Sequence, residues 1–209
     1  MSQTYNHPLF SINRWIFFTL LCLLTFMVLL LKKSFVELET TAFQILDQRG
    51  EMGFFHLLSG LQFITIPLIY LFKFTVIGFI IWVGCFMYGY NVSFGQAWHV
   101  VMICETLFLL PELLKIIWFV FIAEDSNLFE IRSFYPLSLI HLIDPYEVPK
   151  RLLYPLKALN IFEVIYWLLL VQGIHFMAQK KKSTAYAIIF TSYVPLFLLW
   201  LGFYAIVYK

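Results

Sequence analysis

The fold class predicted by the sequence is all-α: a polytopic membrane helix bundle. Three observations predict it. First, 62% of the 209 residues are hydrophobic and 12% are charged, with a mean hydropathy of +0.85. A soluble domain carries about 25% charged residues. It cannot bury this much apolar surface in one core, so lipid is the solvent for much of the chain. Second, the apolar residues fall into runs of about 17–27 residues, long enough to cross a bilayer core of about 30 Å. Third, no polar linker is long enough to divide the chain. Residues 1–13 read as a short polar tail and residues 14–209 as a single membrane domain.

The first span is residues 15–31, bracketed by Arg14 and by Lys32-Lys33. These cations reach the interface by snorkelling. No small-residue cleavage site follows, so this run reads as a retained span rather than a signal peptide. Residues 34–52 (SFVELETTAFQILDQRGEM) repeat apolar positions at helical spacing with acids on other faces. They predict an amphipathic interfacial helix.

Residues 53–90 are too long for one crossing, since about 38 residues of helix would run about 57 Å. Pro67 and Lys73 are the expected break points. The preferred solution is an interfacial helix before Pro67 followed by a span over residues 67–90. The alternative is a two-span hairpin near Lys73, but Leu71-Phe72-Lys73-Phe74 lacks the Gly, Asn or Pro of a turn.

The third span, residues 97–123, carries Glu105, Glu112 and Lys115. Glu105 and Glu112 are a heptad apart and share a helical face, while Glu112 and Lys115 have the spacing of an i,i+3 ion pair. Pro111 lies between the two glutamates, frees a carbonyl one turn back and is an expected helix break. Residues 124–157 are the longest non-spanning region, and Pro136, Pro145, Pro149 and Pro155 forbid one continuous helix there. Residues 158–178 form the fourth span, with Asn160 and Glu163 near its start. The basic turn Lys180-Lys181-Lys182 leads to the fifth, residues 184–208, in which a kink or break is expected at Pro195. Five spans result, or six if residues 53–90 turn back.

Charged groups at bilayer depth are costly, about 2.5–3.5 kcal/mol each on insertion scales, and face the interior or water. The intramembrane polar network expected here is Glu105, Glu112, Lys115, Asn160 and Glu163. It serves either as structural glue or as a path for ions, protons or lipid headgroups. Glu105 stands out because it has no evident partner nearby in sequence. Lys180, Lys181 and Lys182 read as a topology determinant with possible anionic-lipid contact.

His99 and Cys104 do not amount to a metal site, and no HExxH, paired CxxC, Walker A, GxGxxG or GxSxG sequence is present. The expectation is a protein without catalytic residues, metal or other cofactor. Cys22, Cys85 and Cys104 lie in apolar runs and read as small buried hydrophobes. A net charge of +2 without a basic, aromatic-interleaved patch argues against nucleic acid.

The runs PLSL at Pro136–Leu139 and LNIFEVIYWLLLVQGI at Leu159–Ile174 resemble the membrane domain of the Yip family, the Ypt/Rab-interacting proteins. The Lys180–Lys182 turn, the last apolar span, VSFGQAWHVV at Val92–Val101 and Leu110-Pro111 extend the likeness over residues 10–209. The resemblance implies a bundle of about five helices with its amino terminus inside. Charge does not decide orientation: Lys180–Lys182 favours that sense, whereas Arg132, Lys150, Arg151 and Lys157 oppose it.

Eukaryotic members of the family associate with prenylated small GTPases in vesicle traffic. The short polar tail here is similar to a prokaryotic member instead, implying a multi-pass protein of the bacterial inner membrane. The function expected is a non-enzymatic scaffold or accessory subunit of a membrane complex linked to transport or trafficking. Its partners would be membrane lipids and a second membrane protein or another copy of the chain. The alternative is a small ion, proton or lipid carrier using Glu105, Glu112, Lys115 and Glu163.

Overall fold

The computed structural model describes residues 12–37, 52–123, 127–179 and 181–208. Helix α1 (Arg14–Lys32) opens at Asn13, whose Oδ1 accepts the Trp15 N–H at 3.0 Å. It runs on through a π-helical turn, Lys33–Glu37, so its apolar stretch is Arg14–Phe35 rather than residues 15–31. Lys32 is therefore inside the helical run, not at its end. Residues 38–51, most of the expected amphipathic helix, lie outside the described residues, as do residues 1–11 of the polar tail.

Helix α2 (Met52–Met87) is one unbroken helix of 36 residues, which corrects two expectations. There is no hairpin at Lys73, and Pro67 does not break the helix. A proline removes one ladder hydrogen bond, whereas a break in lipid would orphan several backbone groups. The apolar segment of α2 is Ile64–Met87, and the residues before it lengthen the helix beyond a single crossing. Gly89, at φ +66°, takes the left-handed conformation that lets the chain reverse. Helix α3 (Phe94–Glu105) follows immediately, started by a reciprocal capping box between Ser93 and Gln96.

The third span expected over residues 97–123 is two helices. α3 ends at Glu105, a 3-10 turn covers Thr106–Phe108, and α4 (Leu109–Phe121) follows. Pro111 supplies the reason. It has no N–H for the Leu107 carbonyl, and its ring crowds that carbonyl. The halves have 12 and 13 residues, about 18–20 Å each, so neither crosses a hydrocarbon layer alone.

The Pro-rich region forms short pieces: α5 (Leu128–Ser133), a 3-10 turn Leu139–Leu142, and α6 (Lys150–Ala158). Helix α7 (Ile161–Ala178) starts after its cap, Asn160, and α8 (Lys182–Val207) continues through Pro195, which is not a helix break. Among the described residues, four helical segments are long and apolar enough to cross a membrane: Arg14–Phe35, Ile64–Met87, Ile161–Ala178 and Lys182–Val207. No strand occurs among them beyond one antiparallel bridge, Ser138 to Asn160.

α2 packs on α3 and α8, α3 on α7, and α7 on α8, which closes a four-helix ring. Tyr166, Phe74, Ile81, Met102, Leu170 and Ile188 are fully buried within it. Gly173 brings α7 against α3, because a Cβ there would overlap Val100 Cγ1. Gly84 does the same for α2 and α8, where a Cβ would meet Ser192 Oγ at 2.8 Å. Such small-residue contacts are how helices approach in lipid. α1 flanks the ring, packing on α2 and α4, and α6 packs on α8. The outer surface is apolar: Phe72 is 74%, Phe86 77% and Ile206 80% exposed, as expected for side chains that face acyl chains.

Candidate functional site

α3 packs on α2 and α7 and ends at Glu105, and α4 packs on α1. A cavity of about 880 Å³ opens beyond the end of α3, walled by α1, α2, α4, α7 and α8 and capped by the segment before α7.

Glu105, the last residue of α3, sits on the cavity floor and is only 3% exposed. Its Oε1 accepts a hydrogen bond from Lys73 Nζ in an ion pair. Lys73 also lies over the Phe108 ring, 4.9 Å from its centroid, which adds a cation–π contact. The expectation that Glu105 lacks a partner is corrected here. Its partner is 32 positions away, at the residue expected to break α2. Glu105 Oε2 has no hydrogen-bond partner among the described residues and is buried. An acceptor left in that state costs about 1–3 kcal/mol, so this oxygen invites a donor from whatever occupies the cavity.

The other charges arrange themselves differently from their spacing. Glu112 does not pair with Lys115. Its Oε2 pairs with Lys32 Nζ at 3.0 Å, because α4 lies against α1. Lys115 instead donates to the Phe134 carbonyl at 3.0 Å. Glu163 is buried, and its Oε1 accepts from Trp167 Nε1 at 2.9 Å and from Tyr193 OH at 3.1 Å.

Asn160 is a cap, with Oδ1 accepting from the Glu163 N–H at 2.9 Å. Its Nδ2 donates to the carbonyls of Lys157 and Ala158. The Leu139 N–H donates to the Leu159 carbonyl at 3.0 Å and the Ile161 N–H to the Leu137 carbonyl at 3.1 Å. This pins the capping segment to the start of α7. Leu137 holds its end of the bridge at φ +55°, a left-handed conformation that costs a leucine about 1 kcal/mol.

All five residues of the expected network take part: Glu105, Glu112, Lys115, Asn160 and Glu163 line one cavity. Sequence reasoning missed Lys32, Lys73, Arg132, Tyr135 and Lys157, which line it too. Lys32 and Lys73 carry a signal, a lysine next to or within an apolar run. Tyr135 and Lys157 carry none, since a proline-rich loop places them. Burial, then the carboxylates of Glu112, Glu163 and Glu105, raises the Tyr135 hydroxyl above its ordinary pKa. Burial and then Lys32 lower Lys157, with Glu112 acting in the opposite sense.

The expected basic turn lies on the other side of the bundle. Lys180 is outside the described residues, the Lys181 carbonyl accepts from Tyr90 OH at 2.8 Å, and Lys182 begins α8. Fold and site together define a helical protein of membrane type, with a charged cavity enclosed by apolar helices. In comparisons with known proteins the chain matches no family model, no curated protein and no solved structure.

Proposed function

We propose that this chain is a non-enzymatic, multi-pass protein of the bacterial inner membrane that holds a lipid-like amphiphile in the cavity, as a small carrier or as the lipid-binding subunit of a membrane complex. One observation carries the reading. A space of about 880 Å³, within the usual range for ligand sites, joins ionised side chains to apolar walls such as Ile77, Leu196 and Phe197. An ion path would need no such apolar wall, and a purely structural polar cluster would close around its charges. In this reading the fifth crossing is the broken pair α3–α4, in line with the five helices of the Yip family that the sequence resembles.

The accessory-subunit role draws on a second feature. Leu137, Leu142 and Tyr146 are 62%, 80% and 59% exposed on the cap, outside the four long apolar helices. They offer a surface to a neighbouring membrane protein or a second copy.

Purification in mild detergent, followed by native mass spectrometry, tests both roles. The expected result is about one retained amphiphile per chain, reduced several-fold by Val76→Trp, which projects bulk from the α2 wall. Equal retention by wild type and variant would rule out the cavity as the binding site. A stable protein partner on a chain that holds no lipid would leave the scaffold role alone.

A further inference from the structure

Of the residues that line the cavity, Glu105 has a buried side-chain atom left without a hydrogen-bond partner among the described residues, its Oε2. Its Oε1 holds the Lys73 ammonium group, and the Glu105 side chain is 3% exposed. Lys73 lines the cavity as well, with its side chain 38% exposed. An ammonium group has three N–H donors. Among the described residues, Lys73 gives one to Glu105 and makes no other hydrogen bond.

The remaining charges of the lining are directed elsewhere. Lys32 pairs with Glu112 at 3.0 Å, and Glu163 Oε1 accepts from Trp167 and Tyr193. Lys115 and Lys157 donate to the carbonyls of Phe134 and Arg132, and Arg132 is exposed. The Lys73–Glu105 pair is therefore where a buried acceptor and unused donors meet.

Sign decides what this pair can take. Glu105 and Lys73 neutralise each other. A phosphate set against them meets Glu105, with Glu163 also in the lining, and a quaternary ammonium meets Lys73. Either charge is left without a counter-ion at a site that is already neutral, which is costly. A hydroxyl brings no charge and is both donor and acceptor. Its oxygen can accept from Lys73 Nζ while its proton goes to Glu105 Oε2. That carboxylate oxygen is covered in this structure. The terminal torsion of a glutamate is broad, so a modest turn presents it to a hydroxyl seated on Lys73. Ile77 is one helical turn from Lys73 on α2 and walls the cavity with Leu196 and Phe197, so an apolar surface begins beside the head.

We propose that the amphiphile is an uncharged, hydroxyl-bearing lipid, of the long-chain alcohol or monoacylglycerol class, whose O–H donates to Glu105 Oε2 and whose oxygen accepts from Lys73. The inference rests on the cavity being the ligand site. Hydrogen bonds to charged groups are the stronger kind, and a site built for a hydroxyl rejects the analogue that lacks it.

The test titrates the full chain, in phosphatidylcholine nanodiscs, with 1-dodecanol, dodecyl methyl ether, dodecyl phosphate and dodecyltrimethylammonium. Thermal shift is the readout, plotted against the mole fraction of probe in the bilayer so that partitioning drops out. Dodecanol is expected to reach the half-maximal shift at a mole fraction about tenfold below the ether, which accepts from Lys73 but has no proton for Glu105. Both charged probes should need more than dodecanol. In Glu105→Gln the carbonyl oxygen stays on Lys73 and the amide N–H takes the place of Oε2, so alcohol and ether should become about equal.

Equal responses to dodecanol and the ether in the wild type would overturn the hydroxyl assignment, and that comparison depends on no variant folding. Tighter binding of either charged probe would overturn the uncharged head. An alcohol preference that survives Glu105→Gln would overturn Glu105 as its acceptor. Failure of the cavity reading is distinguishable, because then Val76→Trp would leave the response to every probe intact.

Discussion

The Lys73–Glu105 pair should be energetically lopsided. Glu105 is 3% exposed while the Lys73 side chain is 38% exposed, so the two halves do not cost the same to abandon. Lys73→Met leaves a carboxylate on the cavity floor without its cation. Removing one partner of a buried pair costs about 3–5 kcal/mol, with protonation of the orphan as the relief. Glu105→Gln leaves Lys73, which retains solvent access within the cavity and the Phe108 ring at 4.9 Å. Its amide oxygen still accepts from the ammonium group, so the loss should be about 1 kcal/mol, the scale of a screened pair.

The double variant should recover part of the Lys73→Met loss, with a coupling of about 1–2 kcal/mol. Equilibrium unfolding in mixed micelles, followed by tryptophan fluorescence, supplies the four stabilities of the cycle. The reasoning fails if Glu105→Gln destabilises as much as Lys73→Met, or if the two losses add within about 0.5 kcal/mol, the limit for independent sites.

Two further outcomes follow from the cap. Asn160→Ala should lower stability by about 1–2 kcal/mol, because it removes the α7 cap together with the amide that holds the Lys157 and Ala158 carbonyls. Asn160→Asp, which keeps the cap and loses the amide, should fall between, as thermal unfolding would show. Lys157 should titrate below an exposed lysine, since burial disfavours the ammonium form. Carbon-13 NMR of the dimethylated lysines reads this directly: Lys32→Gln should move the Lys157 pKa up and Glu112→Gln should move it down. Because the folded chain sheds this proton first, stability should rise between the folded and unfolded pKa values of Lys157. A fall in that window would contradict the placement.

The helical, membrane-type character was readable from composition and run length, since both follow from how much apolar surface water tolerates. So were the inward-facing charges, because lipid penalises an ionised group whatever its partner. The cap of short pieces over residues 127–158 was readable from its prolines, whose missing N–H acts locally.

The same local rule misled at Pro67 and Pro195. Helices α2 and α8 run through both, because in lipid a broken ladder costs more than one absent bond. Ahead of Pro111 the α-helix does give way, to the 3-10 turn Thr106–Phe108.

Partners were the part that lay beyond the sequence. Spacing suggested Glu112 with Lys115 and nothing for Glu105. Packing gave Glu112 to Lys32 and Glu105 to Lys73. Periodicity governs neighbours one helical turn apart, whereas an ion pair between helices depends on how far one slides and turns against the next. Here α2 meets α3 with Gly78 against the Trp98 backbone, and α4 lies on α1. The amino-acid order thus dictated the solvent and the rods, and only their mutual packing opened a cavity and decided which charges face each other across it.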